Sequence, residues 1–297
     1  MCRLAKPLGL QGVLPGVLES QASVRRSLAD GSGSETTKQA SRSNAVAAGV
    51  LDGLAGCSDT GRSGFYNRRA TLMKQLAIIL LVSAAACQAQ DQKKADQKID
   101  FKKLAREGWV NMFDGKTMKG WKVNEAPESW KVVDGTLRCQ GKRSHLFFVG
   151  KDGKAAFKNF EFRCQVKTQK GANAGIYFHT KFQPTGWPKY GYECQVNITQ
   201  QDTKKTSSLY GVKNVSADDL KGLIKDDEWY WQTIVVKDNH ITLKVNDKTM
   251  VEFDEEKDRK AFSGSFERRL GTGTIAFQAH DPGSVAQFRN IMIRELK

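Results

Sequence analysis

Between Trp109 and Leu296 the chain is a succession of short runs in which apolar and polar residues alternate, and that period admits few folds. "FKNFEFRCQVKT" is the cleanest case: a period of two puts Phe160, Phe162, Cys164 and Val166 on one face and charged or amide groups on the other. The runs are separated by Gly and by pairs that suit tight reversals. Asp134-Gly135, Asp238-Asn239 and Asn246-Asp247 each divide two alternating segments, which is the pattern of a hairpin. "SSLYGV" reads as a further strand, and Trp229 and Trp231 are expected in the core. With only a short amphipathic helix expected near Ile99 to Arg106, and at most one more, the predicted fold is all-β: a two-sheet antiparallel β-sandwich.

The N-terminal part of the 297 residues is of another kind. Residues 1–72 are rich in Gly, Ser and Ala and carry no sustained period. "MKQLAIILLVSAAACQAQ" follows, with Lys74 ahead of an apolar run from Leu76 to Ala86 and small residues after it. That run is too short for an ordinary membrane-spanning helix and has the layout of a signal peptide, read here as residues 73–89. Translation is therefore expected to begin at Met73, with 1–72 a start-site artefact or a poorly ordered extension. Residues 90–107 are a linker and the short helix, and 108–297 the sandwich. The protein is expected to be exported, to the periplasm or beyond. Cys87 adds a lipoprotein option, although Ala84 stands where a lipobox usually has Leu; membrane association is expected only if Cys87 is acylated.

The formal charge is +15, but the lysines are scattered singly along the strands, so nucleic-acid binding is not expected. Cys139, Cys164 and Cys194 alternate with polar neighbours and should point inward as small hydrophobes. They form no CxxC pair, and one disulfide among them is open.

No GxSxG or HExxH occurs, and "GKT" at 115–117 has Val110 where a phosphate loop needs its first Gly. The positive signal comes from two strands. In "AGIYFHT", Tyr177 and His179 share a face; in "GYECQVN", Glu193, Gln195 and Asn197 do. If the strands pair with these faces aligned, a carboxylate and carboxamides lie beside aromatic rings. That combination suits a sugar, whose hydroxyls donate and accept and whose C–H faces stack. Trp187, in "PTGWPKYG", could stack on such a ring or cover the core. His280 and Asp281, at a strand end before a Pro282-Gly283 turn, could act as a base, a metal ligand or a turn support.

"FDGKTMKGW", "SWKVVDGTLRC", "NAGIYFHTK", "GYECQVN" and "FQAHDPGSVAQFRNI", in this order from Gly108 to Leu296, resemble the 3-keto-disaccharide hydrolase family. Ala174 departs from the family's usual Ser. The resemblance implies a concanavalin-like jelly roll and cleavage of glycosides already oxidised at sugar C3. A ketone there acidifies C2–H, so one base can abstract that proton, the C1 substituent can leave, and water can add back. The opposed carboxylate pair of ordinary glycosidases is not needed. The expected base is Glu193 or His280. His179 and Gln195 are expected to bind the keto-sugar or its enolate, with Tyr177, Asn197, Trp187 and Asp281 shaping the substrate site. No cofactor is required, though a divalent cation could assist, with His179, Glu193, His280 and Asp281 as available ligands. The expected partner is an oxidised di- or oligosaccharide. A lectin-like carbohydrate-binding module is the alternative, and a scaffold without a small ligand the third reading.

Overall fold

The structure, a computed structural model, describes residues 74–75 and 99–297. The expected extension, nearly all of the leader, Cys87 and most of the linker lie outside the described residues. Among the described residues no helix is long and apolar enough to cross a membrane.

Among the described residues thirteen strands follow a short helix, α1 (Phe101–Arg106), whose first N–H groups are capped by the Asp100 side chain. They are β1 (Val110–Asn111), β2 (Trp121–Val123), β3 (Trp130–Val133), β4 (Thr136–Cys139), β5 (Ser144–Phe148), β6 (Phe160–Thr168) and β7 (Ala174–Thr180). After β8 (Tyr192–Val196) comes a second short helix, α2 (Ala217–Leu220), closed by a Ser216/Asp219 capping box. The chain ends with β9 (Tyr230–Lys237), β10 (His240–Val245), β11 (Lys248–Asp254), β12 (Thr274–Ala279) and β13 (Ala286–Glu295).

Every pairing is antiparallel. One sheet has the order β11-β10-β9-β6-β13-β4-β3, with β1 added on β13; the other has the order β2-β5-β12-β7-β8. The expected two-sheet sandwich is what forms. Between β3 and β4 the left-handed φ values of Asp134 (47°) and Gly135 (73°) make the reversal, which is why an Asp-Gly pair sits there.

The core lies between the sheets. Phe160, Phe162, Cys164 and Val166 of β6 are fully buried, as their alternation required. They meet β12 of the facing sheet, where Phe277 stacks on Phe288 with ring centroids 4.2 Å apart and on Trp121 at 5.3 Å. Cys139, Cys164 and Cys194 are buried free thiols, and burial pushes Cys139 up to about 12.

Two expectations fail. Trp229 and Trp231 are only partly covered: the β9 parity sends Tyr230, Ile234 and Val236 inward, while Trp229 lies outside under the Arg289 guanidinium, 4.1 Å from its ring. "SSLYGV" is not a strand. It forms a turn, Val212 N–H donating to Leu209 O at 2.9 Å, tied to β8 by backbone hydrogen bonds from Ser207 N–H to Gln195 O at 2.9 Å, from Gln195 N–H to Ser208 O at 3.0 Å and from Tyr210 N–H to Glu193 O at 2.9 Å.

Candidate active site

The outer face of the second sheet carries the polar row. Pairing sets Ala276, Tyr177 and Glu193 side by side across β12, β7 and β8, and the next row on that face is Gln278, Gly175 and Gln195. The face is nonetheless buried, because the loops before β8 and β12 and the turn after β8 fold over it. All six residues of β12 are buried, on both faces.

Three side chains close a hydrogen-bonded triangle. The Tyr177 hydroxyl donates to Glu193 Oε2 at 3.0 Å, while Gln278 Nε2 donates to Glu193 Oε1 at 3.0 Å and to the Tyr177 oxygen at 3.1 Å. The carboxylate fixes the Gln278 amide: turned over, it would set its oxygen against Oε1. Gly175 makes room for this carboxyl, since a β-carbon at that position would overlap Glu193 Oε1. Burial raises the Glu193 carboxyl to about 7, and its hydrogen bonds from Tyr177 and Gln278 offset only part of that cost. The Tyr177 hydroxyl is held well above its ordinary value by burial first and then by the Glu193 charge. A carboxyl poised near neutrality is suited to taking and returning a proton.

Above this triangle is a cavity of about 240 Å³, lined on its floor by Tyr177, Glu193, Gln195 and Gln278 and on its walls by Trp187, Tyr210, Arg268 and His280. The buried Oε1 atoms of Gln195 and Gln278 have no hydrogen-bond partner among the described residues. His280 enters from the end of β12 with Nδ1 2.8 Å from Asp281 Oδ2. Asp281 is itself fixed by Ser284 Oγ at 2.8 Å and Gly283 N–H at 2.9 Å, and these hydrogen bonds together with that from His280 outweigh burial and hold its carboxyl below the ordinary range. An ionised carboxylate only accepts, so Nδ1 carries the proton and Nε2 is the nitrogen left for chemistry. Trp187 packs its ring 5.2 Å from that of His280. Its loop is pinned by Gln183, which donates to Trp187 O at 2.7 Å and accepts from Lys189 N–H at 2.9 Å.

Of the residues expected at the site, Tyr177, Glu193, Gln195, Trp187 and His280 therefore meet in one hollow, and Asp281 orients His280 from just outside it. His179 and Asn197 do not line the cavity. β7 bulges opposite Ile275, where the pairing jumps from Tyr177–Ala276 to Thr180–Thr274, and His179 takes φ 56°. The extra residue breaks the alternation. The His179 ring packs on Phe160 instead, 5.4 Å between centroids, and Nε2 bonds Lys158 O at 2.8 Å. Gly271 N–H donates to its Nδ1 at 3.2 Å, which fixes the neutral tautomer, in keeping with burial lowering this imidazole to about 4. Asn197 ties the following turn together: its Nδ2 donates to Asp202 O at 3.0 Å and Lys204 O at 3.1 Å.

Gln278, Tyr210 and Arg268 escape the sequence reading. "TIAFQA" reads as core on both faces, and the other two come from irregular segments with no period to place them. Among the described residues no three His, Cys, Asp or Glu side chains converge as a metal-ligand set. In particular His179 is turned away from Glu193 and His280.

The sequence profile of the 3-keto-alpha-glucoside-1,2-lyase-like domain family matches residues 108–294. A 79-residue stretch is 33% identical to the 3-keto-disaccharide hydrolase of Bacteroides thetaiotaomicron, covering 24% of this chain and 27% of that protein, so the match spans about a quarter of that curated relative. A solved structure from Parabacteroides distasonis, described as a candidate glycosyl hydrolase, superposes with a TM-score of 0.56 at 22% identity over 67% of this chain and 99% of that one. A second from the same organism, described likewise, gives 0.50 at 22% identity over 63% and 99%. At such identity the likeness is one of fold.

Proposed function

This chain belongs to the 3-keto-alpha-glucoside-1,2-lyase-like domain family, and from that premise we propose that it cleaves 3-keto-glycosides by elimination and rehydration at the Glu193 cavity. The observation that carries the reading is the Tyr177–Glu193–Gln278 triangle. It holds a single carboxyl near neutrality on the floor of a sugar-sized hollow. Elimination beside a ketone asks for one such base.

In this reaction Glu193 takes the proton from C2, and the C2–H electron pair moves into the C2–C3 bond as the C3 carbonyl becomes an enolate. The enolate then collapses to form C1=C2, the C1–O bond breaks, and the departing oxygen takes a proton. The proton that Glu193 took passes to that oxygen. His280, its ring fixed by Asp281 and its Nε2 unprotonated, then takes a proton from the water that adds back to C1, and the enolate carbon C2 is reprotonated from solvent through the same ring. The product is a free 3-keto sugar plus the released alcohol, the net result of hydrolysis. Gln195 and Gln278 line the cavity floor beneath the sugar, and Trp187 and Tyr210 offer ring faces. The substrate class is an oxidised di- or oligosaccharide. The leader-like run from Met73 to Gln90 supports a place outside the cytoplasm for this chemistry.

Substituting each of the two acid–base groups tests the assignment. Glu193→Gln and His280→Ala should each slow release of alcohol from a 3-keto-disaccharide by about 10²–10⁴-fold with the melting temperature little changed. Near-wild-type turnover in both variants would discard it. Binding of the unoxidised glycan with no product from either form would favour a lectin.

A further inference from the structure

The mechanism above leaves one participant unassigned: something must carry the negative charge that develops on the C3 oxygen. We propose that Arg268 binds that oxygen, first as ketone and then as enolate. The inference rests on the reaction just described and names a residue that neither the alternation nor the motifs single out.

Arg268 lines the cavity together with Glu193. It is held there by a site built for a guanidinium. Its backbone is left-handed, φ 46°, a conformation an L-arginine rarely adopts without support. Gly211, itself at φ +68°, presents bare backbone to it, and a β-carbon there would overlap Arg268 Nη1. The Phe262 ring lies 3.8 Å from the guanidinium carbon, and Tyr210 lies 5.5 Å from it on the cavity side. The loop that carries it is fastened at several points, including Glu267 N–H to Lys189 O at 2.8 Å and Gly271 N–H to His179 Nδ1 at 3.2 Å. The bulge that removes His179 from the cavity thus serves to hold the arginine's loop.

This investment is not accounted for by an ion pair. Among the described residues no carboxylate lies within ion-pair distance of Arg268, and the one hydrogen bond of its guanidinium runs from Nη1 to Gly211 O at 3.4 Å. A guanidinium carries five N–H donors. Four remain for a ligand, in a partly desolvated place where each is worth more than in water. Glu193 and Arg268 line the same cavity, which sets the base and the donor against one small ligand. C2–H and the C3 oxygen are neighbouring groups of such a ligand. As Glu193 takes the C2 proton, the charge passes to the C3 oxygen against Arg268, and it leaves again when C1=C2 forms.

The test isolates proton abstraction from cleavage. A 3-keto sugar with no leaving group, 3-keto-1,5-anhydroglucitol, is incubated in D₂O, and deuterium entering C2 is followed by NMR. Wild type should exchange C2–H. Arg268→Gln should lose about 10²–10³-fold of that rate, the scale expected for removing an oxyanion donor, with the dissociation constant for the same sugar within a few-fold of wild type. Arg268→Lys should recover part of the exchange. Gly211→Ala, which crowds the guanidinium but keeps it, should lower exchange in the same direction and covers the case in which Arg268→Gln does not fold. Exchange at the wild-type rate in Arg268→Gln or Gly211→Ala, with only the KM for glycosides raised, would overturn the proposal and make Arg268 a leaving-group contact. If wild type neither exchanges C2–H nor cleaves a 3-keto-disaccharide, the proposed function itself fails.

Discussion

Gly175 and Glu193 face one another across β7 and β8, one row out of register, and the carboxyl of Glu193 occupies the space that a side chain at 175 would fill. Gly175→Ala therefore tests the site without touching an acid–base group. The methyl has to displace the carboxyl from its hydrogen bonds to Tyr177 and Gln278, so kcat on a 3-keto-disaccharide should fall by about 10²-fold, in line with the sensitivity of catalysis to small misplacements. Circular dichroism should show the sandwich intact. Unimpaired turnover would mean that the carboxyl need not sit where it does.

The pH dependence follows from the same carboxyl. As a base Glu193 must be ionised, and burial places its proton loss near 7. kcat/KM should rise through about pH 7 and flatten above it, an ascending limb of unit slope. Glu193→Gln should remove the limb together with most of the activity. A limb centred near 4.5 would show a carboxyl that is not desolvated in the working enzyme.

Asp281 should matter through His280 alone. Asp281→Asn can offer its amide N–H to Nδ1 and so favour the wrong tautomer. We expect a loss of about 10–10²-fold in kcat, the range found when a partner that orients a histidine is removed, with KM little changed. Equal losses in kcat and binding would indicate that Asp281 touches the sugar itself.

His145 gives a stability prediction in the acid range. It lies on β5 in register with Gln278, fully buried, with neither ring nitrogen hydrogen-bonded among the described residues and its ring against Tyr177 and Trp187. Burial lowers it to about 3, so the fold accepts only the neutral ring. The unfolded chain binds the proton from about pH 6.5 downward; the stability is complete above that pH and drains away as pH falls towards 3. His145→Leu abolishes this dependence. The variant should gain about 2 kcal/mol on wild type between pH 7.5 and 4.5, at 1.36 kcal/mol per unit, read as a widening gap in urea midpoints. A constant gap would place a partner on the ring.

How far the residues announced all this differs from strand to strand. β6 was legible in full, because one face is apolar core, the other carries charged and amide groups, and the alternation has no interruption. The row Tyr177, Glu193, Gln195 was legible for the same reason. His179 was not, since its face depends on a bulge, and a bulge is a property of pairing with β12 that leaves no mark in "AGIYFHT". Trp229 and Trp231 misled because large rings suggest burial, whereas the inward parity of β9 belongs to Tyr230. Gln278 was hidden in the opposite way: a strand covered on both faces has no alternation to read, and its amide looked like an isolated polar residue among core positions. Arg268 owes its place to loop fastening and a left-handed φ, which no period encodes.

The account stands or falls on whether oxidation at C3 is what makes a glycoside a substrate. The most direct measurement supplies one disaccharide in two forms, unoxidised and 3-keto, to the purified chain in D₂O and follows both the released sugar and deuterium at C2 of the 3-keto product. Release from the 3-keto form alone, with one deuterium at C2, is the predicted result. Cleavage of both forms at similar rates, or release from the 3-keto form with C2–H retained, would contradict it.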